Sequence, residues 1–273
     1  MEIESKLARI AQRVALRWQR ADEPLANTAE CLALLKTSFG RSSERDLIVH
    51  GVERLGKRSL RWMDIGIGDC LSTVQMTSDL VARGIKSVVH GIDPELNKLS
   101  DGNAVLAGFS VTRAGIEDTY AGVSDADVVN IRQSLYYADR PIEALLDVVS
   151  LTKPGATVFV THWGQDCDFR KLQVHAFREF GVEVQIPTAE EIHSELLRSG
   201  MGDDLRFEVV PDALNIGMWT RSDPLALSAF EIASRGRVRA PAEAKIASVK
   251  RFVEKTECDR CTRRNALISI VKP

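Results

Sequence analysis

The 273-residue chain is poor in aromatic side chains, which make up 6% of it, and it carries almost no net charge, -2 from 36 Lys and Arg against 38 Asp and Glu. A near-neutral balance gives no reason to expect a nucleic-acid or anionic-membrane partner. No run approaches the roughly 20 apolar residues that a membrane span needs. Met1-Glu2-Ile3-Glu4 lacks a basic and apolar signal region. The five cysteines are odd in number and scattered, which suits a reducing compartment, so a cytoplasmic location is expected. Cys258-Asp259-Arg260-Cys261 is a lone pair of thiols. Zinc needs two more ligands, and Cys31, Cys70 and Cys167 stand at no ligand-like spacing, so no metal is expected. Internal repeats and low-complexity linkers are missing too. What is present is 44% apolar residues, enough for a sizeable core in one large α/β domain with an accessory element, or in two small domains.

Asp64-Ile65-Gly66-Ile67-Gly68-Asp69 is the most informative stretch. It follows the run Arg58–Met63 and precedes the helix-like Leu71–Arg83, so a buried strand turns sharply into a helix here. Glycines permit the tight turn and let a ligand approach the backbone. The helix N-terminus beyond offers free N–H groups. A second apolar strand follows and ends in Asp93, 25 residues beyond Gly68, where a carboxylate can accept hydrogen bonds from ribose hydroxyls. The dinucleotide fingerprint is incomplete, because Leu71 stands where its third Gly belongs. No Lys-Ser/Thr follows to make a phosphate loop.

Periodicity predicts helices over 2–21 and 29–35, then a break at Phe39–Ser43. Ser43 is expected to cap a helix from Glu44 to Leu55. Strands are expected at 60–65, 87–92, 110–112, 127–131, 156–161, 205–210 and 266–271. Helices are expected at 70–83, 141–151 behind Pro141, 168–180, 188–199 capped by Thr188, 224–235 and 241–257. This alternation predicts an α/β fold: a doubly wound, mostly parallel seven-stranded sheet, with N-terminal helices and a helical insertion before the last strand. Residues 1–58 are expected to form a helical cap or lid. Residues 59–273 would form the main domain, with a substrate-side insertion at about 212–262.

The acid and two-glycine turn of Asp64, Gly66 and Gly68 resembles motif I of the class I S-adenosylmethionine-dependent methyltransferases. Cys70 stands where that motif often has a third Gly. The resemblance implies a Rossmann-like methyltransferase domain that binds S-adenosylmethionine and releases S-adenosylhomocysteine. Ligands of such sheets bind at the carboxyl ends of the strands. Asp64, Gly66, Gly68, Asp93, and Ile131 with Arg132 are therefore assigned to the cofactor. In this family the turn after the third strand lines the adenine, which points to Ile116 as a packing surface and Glu117 as an acceptor. Glu117 can equally be a solvated loop acid.

After the fourth strand comes Asn130-Ile131-Arg132-Gln133-Ser134-Leu135-Tyr136-Tyr137. The Asn/Asp-Pro-Pro-Tyr of nucleic-acid N-methyltransferases is absent. Two tyrosines suggest a small, partly aromatic or cationic substrate, though they can equally be core. Gln133-Ser134-Leu135-Tyr136-Tyr137 resembles the Gln-x-Leu-Tyr-Tyr stretch of the histamine N-methyltransferase family. The resemblance covers about 40–273 and includes Ser42-Ser43-Glu44-Arg45, Thr188-Ala189-Glu190-Glu191 and Arg264–Val271. It implies that Glu44, Gln133 and Asn265 bind the substrate amine and ring. Glu44 can also be a first-turn helix residue, and Asn265 a strand-end turn residue. His162 could be a general base or a packing residue. Trp163 and Trp219 could wall the pocket or lie in the core. Arg235, Arg237 and Arg239 read as a solvated loop. The expected activity is methyl transfer to a nitrogen of a small molecule by a monomer or homodimer. The alternatives are O-methylation with His162 as base, or a non-catalytic S-adenosylmethionine-binding regulator.

Overall fold

The computed structural model describes residues 39–68, 70–94, 108–118, 122–184, 186–214, 219–234, 237–256 and 261–273. The helices expected over 2–21 and 29–35 lie outside the described residues, as do Arg235 and Cys258.

Seven strands form a single sheet in the order β3-β2-β1-β4-β5-β7-β6. They are β1 (Ser59–Ile65), β2 (Lys86–Ile92), β3 (Ser110–Thr112), β4 (Val128–Arg132), β5 (Thr157–Trp163), β6 (Leu205–Leu214) and β7 (Cys261–Val271). β7 runs antiparallel to both β5 and β6, and the other four strand pairs of the sheet are parallel. β5 is buried at every position, as its apolar run requires for a central strand covered on both faces. β6 and β7 are longer than their apolar segments indicate. Their polar ends pair with each other out to Leu214 and Cys261.

Among the described residues the α-helices are α1 (Phe39–Glu53), α2 (Leu71–Ala82), α3 (Pro141–Leu151), α4 (Asp168–Glu179), α5 (Ala189–Arg198), α6 (Asp223–Ser234) and α7 (Ala242–Thr256). Pro141 opens α3, where its missing N–H costs nothing. Thr188 caps α5 in a full capping box with Glu191. One expectation fails at α1. Phe39–Ser43 is helical rather than a break, so Ser43 is no cap and Glu44 is not in the first turn.

Strand alternation splits the core. Trp62 and Phe159 face α1 and α2, packing with Ile48, Val49, Val52, Met76 and Leu80. Ile65, Val129, Ile131, Val158 and Val160 face the other way, against Leu145, Val148, Ile192 and Leu196 of α3 and α5. Each fully buried side chain of this size contributes about 1.5–3 kcal/mol. A third cluster, rich in aromatics, joins α4, α6 and α7. At the amino end of β4, Asp127 accepts from the Arg61 amide at 2.8 Å and from the Lys57 ammonium at 2.6 Å, with Lys153 Nζ at 2.9 Å. Burial alone would raise the Asp127 carboxyl, but these three donors outweigh it and hold it well below the usual carboxylate range.

Candidate cofactor and substrate site

β1 delivers the glycine turn to the carboxyl rim. Gly66 N and Ile67 N both donate to the Ile92 carbonyl, at 2.7 and 3.1 Å, which ties the turn to the end of β2. Gly66 has φ +75°. A Cβ there would fall 2.2 Å from Ser134 Cβ, so only glycine lets the loop after β4 close on the turn. Ser134 Oγ donates to the Ile65 carbonyl at 2.8 Å and fastens that closure. Gly68 also has a left-handed φ, +58°, but a Cβ there would meet nothing within 4 Å. Space above Gly68 is open to a ligand. Cys70 adopts φ +57° at the start of α2 and is buried, so the position that often holds glycine keeps a left-handed backbone here. That conformation costs an L-residue about 1–2 kcal/mol.

Asp93 ends β2 and accepts from Gly68 N through Oδ2 at 2.9 Å. The bond fixes the carboxylate beside the turn. Asp64 lies beneath the turn rather than on it, 2% exposed. It accepts from Thr73 Oγ1 at 2.5 Å and from Asn130 Nδ2 at 3.2 Å, joining β1 to α2 and β4. Burial pushes its carboxyl up to about 6, against the opposing pull of Thr73, Asn130 and the Arg132 guanidinium. Asp64 is thus a positioning residue that holds the turn from below.

Glu117 sits in a short turn, Ile116–Asp118, after β3. Its Oε1 accepts from the amides of Asp139 and Arg140, both at 3.1 Å, just before Pro141. This anchors the loop entering α3 and takes up Oε1 of the residue assigned to the adenine. Ile116 packs half-buried against the core below the same loop. Ile131 is fully buried in that core, so its backbone rather than its side chain is at the rim.

Glu44, Asn265 and Arg132 come together from three distant segments. Asn265 stands on β7 opposite Trp163 of β5. Its Nδ2 donates to Glu44 Oε1, and both residues are fully buried. Glu44 Oε2 lies 3.8 Å from Arg132 Nε. Neither Glu44 Oε2 nor Asn265 Oδ1 has a hydrogen-bond partner among the described residues. Buried acceptors without partners cost about 1–3 kcal/mol each. Gln133, next to Arg132, holds φ +52°, and both polar atoms of its amide are buried and unpartnered. Strained backbone of this kind at a strand end concentrates at functional sites.

The aromatic candidates separate. Tyr136 stacks on Trp163 with centroids 4.4 Å apart, Trp163 meets Phe169 edge-on at 4.7 Å, and Phe169 meets Trp219 at 5.8 Å. Tyr136, Trp163 and Trp219 are buried members of the α4–α6–α7 cluster. Tyr137 is 50% exposed. His162 is fully buried, with its ring 5.9 Å from that of Tyr136 and 6.4 Å from that of Trp163. Its Nε2 lies 3.0 Å from the Pro187 carbonyl. The structure does not bring His162 to Glu44 and Asn265. Arg237 is no free loop residue. It donates to Asp139 Oδ1 at 2.8 Å and to the Tyr137 carbonyl at 3.2 Å.

Sequence reasoning missed Thr73, Asn130 and Ser134, and it missed Thr161, fully buried with an unpartnered hydroxyl. Asn130 and Thr161 had a visible signal, since each is a polar residue inside an otherwise apolar central strand. Among the described residues no group of three His, Cys, Asp or Glu could hold a metal ion, and no helix is long and apolar enough to cross a membrane.

No protein-family model matches the chain, and no curated protein is similar to it in sequence. Solved structures are similar in fold. The plantazolicin methyltransferase BpumL, solved with S-adenosylhomocysteine and a pentazolic desmethyl-plantazolicin analogue, is 14% identical. The match covers 100% of this chain and 98% of that one, with a TM-score of 0.51. A protein from Galdieria sulphuraria assigned as a sarcosine dimethylglycine methyltransferase is 9% identical over 84% of this chain and 85% of that one, with a TM-score of 0.52. The fold is that of the class I methyltransferases. The YcgJ protein of Bacillus subtilis also shares this methyltransferase-like fold at 13% identity, over 85% of this chain and 98% of that one, with a TM-score of 0.57. In the class I framework, the turn at Gly66–Gly68 and the cluster at Glu44 and Asn265 lie on the same carboxyl rim.

Proposed function

We propose that this chain is an S-adenosylmethionine-dependent methyltransferase acting on a nitrogen of a small molecule. The observation that carries the reading is the buried pair of unpartnered acceptors, Glu44 Oε2 and Asn265 Oδ1, on residues already bonded to each other at the rim of a methyltransferase fold. Two such acceptors call for a ligand rich in N–H donors.

The residues present fit the cofactor. Open space above Gly68, a fixed carboxylate at Asp93 and the unpartnered amide of Gln133 offer room, hydroxyl acceptors and further hydrogen bonds. When bound, S-adenosylmethionine supplies an electrophilic methyl on a sulfonium. Methyl transfer is an in-line displacement, so the chain's work is alignment and exclusion of water. Glu44 Oε2 and Asn265 Oδ1 accept from the substrate's N–H groups, and Gln133 orients what remains. Burial of Glu44 and Asn265 keeps water from competing for those bonds. Tyr137, half exposed beside Tyr136, is the aromatic side chain assigned here to a substrate cation. This division of roles is the one the histamine N-methyltransferase resemblance implies for Glu44, Gln133 and Asn265. His162, the base that O-methylation would require, has Nε2 3.0 Å from the Pro187 carbonyl and its ring 5.9 Å from that of Tyr136.

Titration calorimetry with S-adenosylmethionine and S-adenosylhomocysteine, then a methyl-release screen over amines, imidazoles, amino acids and phenols, tests the proposal. Micromolar binding with turnover on a nitrogen compound is expected. Gln133→Ala and Glu44→Gln should each lower kcat/KM by about 100-fold, the loss of one or two hydrogen bonds to a charged group, while cofactor binding persists. Turnover confined to phenols would overturn the nitrogen assignment.

A further inference from the structure

The cap built by α4, α6 and α7 holds polar atoms in an aromatic interior. Gln173 lies on α4 and is 0% exposed, and neither Oε1 nor Nε2 of its amide has a hydrogen-bond partner among the described residues. Trp219 is equally buried, and its indole Nε1 is unpartnered in the same way. Buried polar groups without partners are costly, and apolar side chains of the same shape would carry no such cost.

These atoms lie close to the rim. Asn265 stands directly opposite Trp163 in the β5–β7 ladder, which makes their side chains neighbours on one face. Trp163 meets Phe169 of α4 edge-on at 4.7 Å, and Phe169 meets Trp219 at 5.8 Å. Gln173 follows Phe169 by one helical turn on the same buried stripe of α4. Two ring contacts thus separate the neighbour of Asn265 from Trp219, the length of a small molecule. The two ends differ in chemistry. At the rim, Glu44 Oε2 and Asn265 Oδ1 only accept. In the cap, Gln173 offers an acceptor and a donor, Trp219 offers a donor, and neither is charged. A neutral group with its own N–H and C=O satisfies all three cap atoms.

We propose that the substrate is an amine that also carries a carboxamide or lactam, with its nitrogen at Glu44 and Asn265 and its amide edge at Gln173 and Trp219. Gln173 Oε1 accepts the amide N–H. Gln173 Nε2 and Trp219 Nε1 donate to the amide carbonyl, which has two lone pairs. The inference rests on the nitrogen-transfer reading above and deepens it. Loading parts the cap from the rim, to which Arg237 fastens it through Asp139 and the Tyr137 carbonyl.

The test measures methyl transfer from S-adenosylmethionine to matched amines on the full chain. Glycinamide, β-alaninamide and 4-aminobutanamide are each set beside the alkylamine in which an isopropyl group replaces the carboxamide. The members of a pair share a shape, and only one can hydrogen-bond at its far end. The wild type should favour at least one amide over its partner by roughly 10- to 100-fold in kcat/KM. A carboxamide also lowers the basicity of a nearby amine, so the change in that ratio on mutation decides. Gln173→Met keeps the side-chain length and should bring the ratio within about threefold, with alkylamine turnover kept and a fold equally or more stable in urea. Trp219→Phe should lower the same ratio in part. A ratio unmoved in Gln173→Met would overturn the proposal. So would equal use of both members of every pair, or S-adenosylhomocysteine binding with no probe methylated, and each of these leaves the cofactor reading standing. A chain that binds no S-adenosylhomocysteine would overturn the cofactor reading and this inference together.

Discussion

Gly66 and Gly68 both hold left-handed φ, at +75° and +58°, and an added methyl group costs each something different. At Gly66 it strains the backbone by about 1–2 kcal/mol and drives into Ser134, adding about 1–3 kcal/mol of overpacking. Gly66→Ala is therefore expected to lose about 3 kcal/mol of stability in urea unfolding. At Gly68 only the backbone term applies, because the space is open. Gly68→Ala should cost about 1–2 kcal/mol of stability, yet its methyl occupies the ligand's room, so S-adenosylhomocysteine affinity should fall far more than stability does. A variant that folds like wild type and binds like it would remove Gly68 from the site. Cys70 shows that the third position of the turn tolerates a side chain where the second should not, since its thiol points into the core.

Among the elements, α5 offers a direct check of local chemistry. Thr188 Oγ1 accepts from Glu191 N at 3.1 Å and Glu191 Oε2 accepts from Thr188 N at 2.6 Å. Thr188→Ala should cost about 1 kcal/mol, read as a lower unfolding midpoint with an unchanged denaturant slope. This cap, the Pro141 start of α3 and the strand–glycine–helix unit at β1 were legible because each rests on neighbours in sequence. What was not legible rests on distant ones. The resemblance paired Glu44 with Asn265, but the place expected for Glu44 behind a Ser43 cap was wrong, because nothing local reveals that it sits in the middle of α1 beside Arg132. The polar ends of β6 and β7 read as loop, since only their pairing with each other makes them strand. Glu117 left two readings open, adenine acceptor or solvated acid, because the amides it binds, at Asp139 and Arg140, lie more than twenty positions on.

For the whole molecule, two buried acids on β1 and beside β4 give opposite pH signatures. Asp64 is raised in the fold to about 6 from 3.8, so its contribution is fully present below the unfolded value and is lost as pH rises through 6. Asp64→Asn removes that titration, and the variant should gain stability relative to wild type between pH 4 and 7. Asp127 is lowered in the fold, so it stabilises above the unfolded value and loses that contribution as pH falls below it. Asp127→Asn should cost about 2–3 kcal/mol at pH 7 and progressively less below pH 4, in chemical unfolding at each pH. The same sheet also sets an order of events. β7 is the last strand in sequence but sits between β5 and β6, and the Asn265–Glu44 bond spans 221 residues. While the ribosome is still adding β7, β6 has no strand to pair with and Glu44 has no amide to meet. The cofactor half, complete by β4, can form while translation proceeds, and the substrate half must wait for the final strand to be threaded into its gap.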